Sequence, residues 1–235
     1  RPETKNNIHV KIENLNIVAV IPVKGEINYL NKKPLIGYTI RQALQSKYIK
    51  QVVVSTDNPE LAKISSALGA KAPFLRDESH SKDFVDIEKV LQYSMTKIEE
   101  MKIFPDLVVH LEEPFPFRTR DLIDNMVAQV IKYGFDSVLA VKREFRSIWR
   151  EENNRIERID KGDIPRKYKE PCFIGMKGLC CVTHPEFIRE GSLLGERIGI
   201  YEVNNPYSHI EVRDEEDFKL AEKLIDSWTL EEHKG

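Results

Sequence analysis

Short apolar runs alternate with amphipathic segments along most of the chain. The first run, NIVAVIPV at residues 16–23, is β-branched and apolar at consecutive positions, which is typical of a parallel strand covered on both faces. Between such runs, apolar residues recur at helical spacing, as at Ile36, Ile40, Ala43 and Leu44. Strands that alternate with helices predict an α/β fold with an open, largely parallel central sheet and helices on both faces.

The pattern predicts one domain over residues 1–235, with seven strands and five helices around one inserted arm. The strands are predicted at residues 16–23, 51–58, 71–76, 106–111, 136–141, 198–203 and 208–212. The helices are predicted at residues 36–49, 59–68, 83–101, 119–134 and 214–228. Residues 142–182 break the alternation, and FRSIWRE followed by NNRIERI predicts a hairpin that turns at Asn153-Asn154. We therefore interpret residues 142–182 as an arm added to the domain.

Composition and charge narrow the class of protein. The net charge of −2 over 235 residues, with acids and bases interspersed, argues against a dedicated nucleic-acid binder. No apolar run approaches the roughly 18 residues of a membrane span, and the polar N-terminal stretch, which begins without Met, has no signal-peptide core. The three cysteines, Cys172, Cys180 and Cys181, contain no CxxC pair and are expected to be buried strand residues in a reducing compartment. We expect a cytoplasmic protein.

Polar and charged residues follow the predicted strands at the edge where an open α/β sheet binds ligands. They are Lys24 and Gly25 after the first strand, Ser55, Thr56 and Asp57 after the second, Arg76 after the third, Glu112, Glu113 and Arg118 after the fourth, and Glu211 and Arg213 near the C-terminus. Cations, carboxylates and hydroxyls at one edge are typical of a site for a phosphorylated ligand with a divalent metal ion. The alternative is that these residues are simply solvated, because strand ends are polar in most proteins.

The first loop carries the basic residues Lys24, Lys32 and Lys33 around Gly25, but it matches neither GxGxxG nor GxxxxGK[ST]. Lysine binds phosphate well as a point charge, so this loop is a candidate phosphate cradle. A solvated basic loop would look similar in sequence.

The order of motifs resembles the acylneuraminate cytidylyltransferase family, the CMP-sugar synthetases. The resemblance runs from about residue 16 to residue 226, over IVAVIPVK, KKPLIGYTI, VVVSTDNPELAKISSALGAKAPFLR, VVHLEEPFPFRT, GFDSVLAV and SHIEVRDEEDFKLAE. It implies a Rossmann-like nucleotidyltransferase fold and a homodimer with an exchanged arm. It also implies transfer of CMP from CTP to the anomeric hydroxyl of a sialic-acid-like or other 2-keto sugar acid, with Mg²⁺ as cofactor.

The resemblance also implies roles for individual residues. Lys24 stands where the family has an arginine in its first phosphate loop. The expected nucleotide-binding residues are Lys24, Gly25, Lys32, Lys33, Arg76 and Asp83. The expected catalytic residues are Lys24, Glu112 and Arg213, the sugar-binding residues are Glu112 and Arg118, and the metal ligands are Glu112 and Glu211.

Three departures from the family pattern bear on the expected metal and phosphate sites. Its first loop is shorter than the family's, the family's LQPTSPLR reads LEEPFPFR with Glu112 in place of a glutamine, and the second C-terminal acid has become Arg213. In the related 3-deoxy-manno-octulosonate synthetases a metal-binding acid stands at the position of Glu112. We therefore expect at most one divalent ion, held by Glu112 and Glu211, with Arg213 directed into the same cleft as Glu211 and taking over part of the metal's role.

Alternatives remain open. A degenerate homologue that binds nucleotide or sugar without catalysis would fit the short loop and Arg213, and a nucleotidyltransferase with another base or acceptor would fit the same pattern. Arg213 can instead pair on the surface with Asp214 or Glu215. Three histidines near strand ends, His110, His184 and His209, are more typical of structural residues than of general bases. The arm is expected to dimerise through Phe145, Ile148, Trp149, Phe173 and Leu179.

Overall fold

The computed structural model describes residues 11–82, 85–160 and 162–232. Its strands are β1 (Ile17–Pro22), β2 (Tyr29–Leu30), β3 (Lys33–Pro34), β4 (Ile49–Ser55), β5 (Leu107–His110), β6 (Ser137–Glu144), β7 (Trp149–Glu152), β8 (Arg155–Arg158), β9 (Cys172–Gly175), β10 (Cys181–Thr183) and β11 (Ile198–Glu202). Its helices include α1 (Leu35–Leu44), α2 (Pro59–Ala67), α3 (Ile87–Glu100), α4 (Leu122–Tyr133), α5 (Pro185–Arg189) and α6 (Glu215–Glu232), and short 3₁₀ turns lie at Glu78–His80 and Pro206–His209.

The central sheet has the strand order β11-β6-β10-β5-β1-β4, with β9 paired to β6. The pairs β1/β4, β1/β5 and β6/β11 are parallel, whereas β10 runs antiparallel to both β5 and β6. The prediction of a largely parallel sheet is confirmed. One short antiparallel strand, which the sequence did not indicate, is inserted between β5 and β6.

Helices cover both faces of the sheet because neighbouring residues of each buried strand belong to different cores. Ile17, Ala19 and Ile21 of β1 pack in a core with residues of α1 and α4. Val18 and Val20 pack in a second core with residues of α3 and α5. Alternation of side chains along a strand thus explains the consecutive apolar positions of β1. A third core joins α6 to the start of α1.

Local sequence signals set several helix ends as predicted. The Asn58 side chain accepts hydrogen bonds from the backbone N–H groups of Glu60 at 2.8 Å and Leu61 at 3.3 Å, and Pro59 begins α2. Gly134 ends α4 with a left-handed φ of 63°. No helix among the described residues is both long and apolar enough to cross a membrane.

Two predicted strands are not formed. Residues 71–76 make only isolated bridges, Val53 to Lys71 and Thr56 to Leu75, because Pro73 interrupts the run and has no N–H for a ladder. The second, at residues 208–212, is replaced by the Pro206–His209 turn, in which Asn205 accepts a hydrogen bond from the N–H of Tyr207 at 2.9 Å.

The predicted arm is shorter than residues 142–182. Its first residues extend β6 to Glu144, and its last part contributes β9 and the start of β10 to the central sheet. Residues 145–160 and 162–171 remain outside the sheet. They contain the predicted hairpin β7–β8, which turns at Asn153 and Asn154 with φ angles of 52° and 61°. Leu179, expected at a dimer contact, is instead fully buried in the core.

Candidate active site

A pocket of about 330 Å³ opens at the carboxyl ends of β1, β4 and β5. Four Lys and Arg side chains, Lys24, Arg76, Lys82 and Arg213, line it together with the carboxyl groups of Glu112 and Glu113. Parallel strands end at a common edge, so residues distant in sequence meet there. The structure therefore places the ligand-sized pocket at the predicted edge.

A second pocket of about 520 Å³ adjoins the first and shares Ile87, Glu112 and Arg213 with it. Two further basic residues, Lys142 and Lys177, line only this second pocket. Glu112 and Arg213 therefore stand where the two pockets meet. An arrangement of two adjoining sites with charged groups at the junction suits a reaction between two bound molecules.

Glu112 is held in place by its neighbours on both carboxylate oxygens. His110 Nε2 lies 3.0 Å from Oε1, and Arg213 Nη2 lies 3.4 Å from Oε2. Burial disfavours the charged form of Glu112, but the His110 hydrogen bond and the charges of Arg213 and Lys177 outweigh it and keep the pKa below its ordinary value. Glu112 is therefore an ionised carboxylate at neutral pH.

Arg213 bridges the two carboxylates that were expected to bind metal. Its Nε donates a short hydrogen bond to Glu211 Oε1, and its Nη2 reaches Glu112. Glu211 and Arg213 thus point the same way, although their backbone is not a strand. Pairing of the Arg213 side chain with Asp214 or Glu215 is not seen among the described residues, and only the Arg213 backbone N–H contacts Asp217, at 3.0 Å.

Arg76 lines the first pocket, but most of its N–H groups donate hydrogen bonds to other atoms of the protein. Nη1 donates to the Ser55 carbonyl at 2.9 Å, Nη2 to the Val23 carbonyl at 3.3 Å, and Nε to Ser81 Oγ at 3.3 Å. Only 5% of the residue is exposed. Arg76 thus ties the ends of β1 and β4 together while adding positive charge to the pocket wall.

Lys24 and Gly25 form the exit from β1. Lys24 is exposed and lines the pocket. Gly25 has a φ of 77°, which favours glycine, and its N–H donates to Asp57 Oδ1 at 3.1 Å. The Gly25 carbonyl accepts from Asn58 Nδ2 at 2.8 Å. The loop after β1 is therefore anchored to the segment after β4.

Lys32 and Lys33 lie in the β2–β3 hairpin and do not line the first pocket. Lys33 instead lines a separate surface pocket with Gly37, Tyr38 and Arg41. The prediction that this pair belongs to the phosphate site is not supported by their positions, because neither lines the first pocket and Lys33 lies against α1 instead. Asp83, also predicted to bind nucleotide, lies outside the described residues.

Arg118 was predicted to bind the sugar, and its burial contradicts this. The residue is fully buried. Its guanidinium donates hydrogen bonds to the carbonyls of Glu112 at 2.7 Å, Phe115 at 2.6 Å, Gly178 at 2.9 Å and Leu179 at 2.6 Å, and it also contacts the Thr39 and Gln42 side chains. All five N–H directions of an arginine are thereby used inside the protein. Arg118 shapes the exit from β5 from behind.

Glu113 is a second carboxyl group of the pocket wall, with only 6% of the residue exposed. Burial raises its pKa to about 7, against the hydrogen bonds donated by the Asn28 side chain and the Ile36 backbone N–H. Its Oε1 has no hydrogen-bond partner among the described residues. Glu112 and Glu113, although adjacent, are therefore a charged and a largely neutral carboxyl group at slightly acidic pH.

The residues present provide only part of a magnesium site. Within the described residues, no group of three or more His, Cys, Asp or Glu side chains is arranged to hold a metal ion. Mg²⁺ commonly takes one or two protein carboxylates and completes its shell with phosphate oxygens and water. Glu112 and Glu211 fit that pattern, and Arg213 would compete with the ion for the same oxygens.

Sequence reasoning missed five residues of the site, among them Lys82, which lines the first pocket. Lys142 and Lys177 fell in the supposed arm, and His110 was read as structural without its link to Glu112. His80, which lines the first pocket, was not singled out at all. A signal existed for His80, since DESHS places an acid, a serine and a histidine directly after residues 71–76, which were predicted to end at the ligand-binding edge.

Comparisons with known proteins agree with this geometry. The sequence matches the family model described as cytidylyltransferase over residues 24–224. A CMP-N,N'-diacetyllegionaminic acid synthase of Legionella pneumophila is 33% identical over 135 residues, which is 54% of this chain and 58% of that protein. A pseudaminic acid cytidylyltransferase of Campylobacter jejuni is 31% identical over 146 residues, covering 60% of this chain and 62% of that protein. The matched stretches thus span about three fifths of these relatives.

A solved structure shares the fold over nearly the whole chain. It is the CMP:2-keto-3-deoxy-manno-octonic acid synthetase complexed with CTP, with a TM-score of 0.68 and 16% identity over 90% of this chain and 99% of that one. At this identity the likeness shows the fold alone, which is the predicted nucleotidyltransferase fold. The family match extends from Lys24, directly after β1, into α6, and it includes the lining residues of both pockets apart from Pro22 and Val23. The chain belongs to the cytidylyltransferase family.

Proposed function

We propose that this protein is a CTP-dependent CMP-sugar synthetase, which transfers CMP from CTP to the anomeric hydroxyl of a sialic-acid-like or other 2-keto sugar acid. The observation that carries the proposal is the pair of adjoining pockets with Glu112 and Arg213 at their junction. The family match and the names of the relatives support the same reaction.

The first pocket suits the nucleotide. Lys24 and Lys82 are exposed cations, and Arg76 adds a fixed charge at the ends of β1 and β4. Positive charge at this edge stabilises a triphosphate in the ground state and the pyrophosphate that leaves. The second pocket suits the sugar acid, since Lys142 and Lys177 can bind a carboxylate near the junction.

The reaction would occur at the junction of the pockets. The anomeric oxygen attacks the α-phosphorus, the bond from that phosphorus to the bridging oxygen of the β-phosphate breaks, and pyrophosphate leaves. The hydroxyl proton is lost in the same process. Glu112, ionised and held by His110, is within the wall of both pockets and is the group we expect to orient the acceptor or receive its proton. Arg213 would balance charge on the phosphates.

Mg²⁺ is part of the proposal. When bound, it would neutralise phosphate charge, and Glu112 and Glu211 are the residues that would hold it. Soluble metabolites such as CTP and the three free thiols fit a cytoplasmic location. A homodimer formed through residues 145–171 is likewise proposed from the apolar surface of that segment.

The competing proposal is a homologue that binds nucleotide without catalysis. It is favoured by the contact of Arg213 with both Glu112 and Glu211, which occupies the expected metal ligands. Release of pyrophosphate from CTP in the presence of a panel of 2-keto sugar acids distinguishes the two. Turnover that requires one of these acids supports the synthetase, whereas thermal stabilisation by CTP without any turnover supports the binding protein.

A further inference from the structure

His80 lies in the wall of the first pocket, on the 3₁₀ turn Glu78–His80, shortly after residues 71–76, which bridge to β4. Its side chain is about one third exposed, at 35%. It stands beside the basic residues Arg76 and Lys82 and the apolar side chains of Val85, Ile87 and Val90 in the pocket lining. This corner thus combines apolar walls with one aromatic ring that carries hydrogen-bonding nitrogens.

Asp77 fixes the position of His80 through both the backbone and the ring. Asp77 Oδ1 accepts a hydrogen bond from the His80 backbone N–H at 3.1 Å and lies 2.7 Å from His80 Nδ1. Ser79 Oγ donates to the same carboxylate oxygen at 2.7 Å. The hydrogen bonds from Ser79 and His80 lower the pKa of Asp77 to about 2, so the carboxylate is ionised at any working pH.

The plane of the ring is fixed as well. His80 stacks on Tyr93 of α3, with ring centroids 4.3 Å apart and an interplanar angle of 25°. Phe74 meets the same tyrosine edge to face at 6.1 Å. The turn itself is tied to the pocket floor, because Ser81 Oγ donates to the Asp77 carbonyl at 2.9 Å and accepts from Arg76 Nε at 3.3 Å. The stacking and the hydrogen bonds of the turn therefore both position the His80 ring.

The ionised Asp77 determines which nitrogen carries the proton. A carboxylate only accepts hydrogen bonds, so Nδ1 must be the protonated nitrogen of the ring. In the neutral imidazole, Nε2 is then an acceptor, and no described residue donates a hydrogen bond to it. This oriented acceptor has no donor among the described residues, and it is available to a ligand in this pocket.

We propose that His80 determines the base specificity of the nucleotide pocket, with its Nε2 accepting a hydrogen bond from the exocyclic amino group of the cytosine ring. The inference rests on the proposed use of CTP. The apolar residues Val85, Ile87 and Val90 suit the faces and edges of a flat pyrimidine, while Lys24 and Arg76 are left for the phosphates.

The same geometry rejects uridine triphosphate. Uracil carries an oxygen where cytosine carries its amino group, so two acceptors would face each other and one hydrogen bond would be lost. A site that is built for one donor discriminates against an analogue that lacks it, because the acceptor is left without a partner. His80 therefore acts on the identity of the base rather than on binding of the phosphates.

Calorimetric titration without sugar acid provides the test. The ligands are CTP, UTP and the triphosphate of 2-pyrimidinone riboside, which lacks only the amino group. The wild-type protein should prefer CTP over both others by about tenfold, the value of one hydrogen bond. In His80→Phe, which keeps the stacking on Tyr93, the three ligands should bind alike. Asp77→Asn should also reduce the preference, since an amide can donate to Nδ1 and move the proton to Nε2.

His184→Gln is the matched control, because His184 lines neither pocket and the change should leave the preference intact. If the wild type prefers CTP and His80→Phe keeps that preference in full, the assignment of His80 is overturned while the proposed use of CTP stands. If the wild type binds none of the three ligands, the proposed function itself fails. If CTP and the 2-pyrimidinone nucleotide bind the wild type equally, the amino group is not read and the inference is likewise overturned.

Discussion

Two adjacent carboxyl groups at the exit of β5 have opposite environments. Glu112 is kept ionised by His110, Arg213 and Lys177, whereas burial raises the pKa of Glu113 to about 7. Neighbouring acids whose pKa values are pushed apart can serve different purposes in one site. Glu112 is the charged group at the junction of the pockets. Glu113 accepts hydrogen bonds from the backbone N–H of Ile36, near the start of α1, and from the Asn28 side chain, and thereby links the β5 exit to the loop after β1.

Glu113→Gln tests this assignment through stability. The fold favours the neutral form of Glu113, because its pKa of about 7 lies above the ordinary value of 4.5. The contribution of Glu113 to folding stability is complete at pH values below 4.5 and is lost as the pH rises through the folded-state pKa of about 7. Relative to wild type, Glu113→Gln should therefore be more stable at pH 8 than at pH 5, by up to about 3 kcal/mol. Denaturant unfolding at both pH values measures the difference. The exposed Glu151→Gln should show no such change, and an equal change in both variants would contradict the prediction.

Arg213→Asp tests whether this guanidinium takes part of the metal's role. The change removes the cation that bridges Glu112 and Glu211 and adds a third carboxylate near them. We expect ion binding to improve by about 1 kcal/mol, so the Mg²⁺ concentration needed for half-maximal activity should fall several-fold. Arg120→Asp, on the surface before α4, is the control. Unchanged Mg²⁺ dependence and unchanged CTP affinity would make Arg213 a surface residue with no role in the site.

At the scale of elements, the sharp exit from β5 is held by buried contacts. Arg118 bonds the carbonyls of Glu112 and Phe115, Gln42 Nε2 donates to the Pro116 carbonyl at 2.8 Å, and the Val212 N–H donates to the Pro114 carbonyl at 2.7 Å. The prolines stiffen a segment that these contacts already determine. The exit therefore presents Glu112 and Glu113 to the pockets with little freedom.

The backbone at Gly178 lies close against Glu112 and Phe115 of the β5 exit. A Cβ at this position would lie 2.7 Å from Glu112 Cδ and from Phe115 Cε2, so Gly178→Ala must displace Glu112. Because a misplacement of about 1 Å can cost about a hundredfold in rate, we expect a loss of that order in kcat. Gly37→Ala is the control, since its Cβ would meet only the movable Leu68 Cδ1 at 3.3 Å. Steady-state kinetics measure kcat for both variants. Full activity of Gly178→Ala would show that the position of Glu112 is unimportant.

Elements with a strong local period were predictable, and elements that depend on distant pairing were not. β1, β4, α2 and α4 carry their own apolar spacing and end signals. β10 is only three residues long and exists because it fits between β5 and β6.

In the site, strand-end charges were predictable because topology brings strand ends together. Whether such a charge faces the pocket, as in Lys24, or the interior, as in Arg118, depends on packing that no local pattern encodes.

At the scale of the whole molecule, residues 145–160 and 162–171 present an apolar surface outside the central sheet. Trp149, Ile156 and Tyr168 are exposed to 59%, 63% and 70%. The register of the hairpin puts Trp149 and Ile156 on one face, while Arg150 pairs with Glu152 and Glu157 on the other. Exposed aromatic and aliphatic side chains on one face of a protruding hairpin mark a protein–protein contact.

Trp149→Glu combined with Ile156→Glu tests the proposed homodimer. The wild type should behave in light scattering as two chains of 27.3 kDa at micromolar concentration, and the double variant should behave as one. Burying two carboxylates without partners opposes association, and interfaces depend most on such central aromatic residues. Arg155→Ala, on the charged face, should leave the dimer intact. A monomeric wild type would reject the proposal outright. If the dimer survives the double substitution, the interface does not lie on the apolar face of β7–β8. The edge strand β11, where Ile198 and Ile200 are exposed, is then the next surface to change.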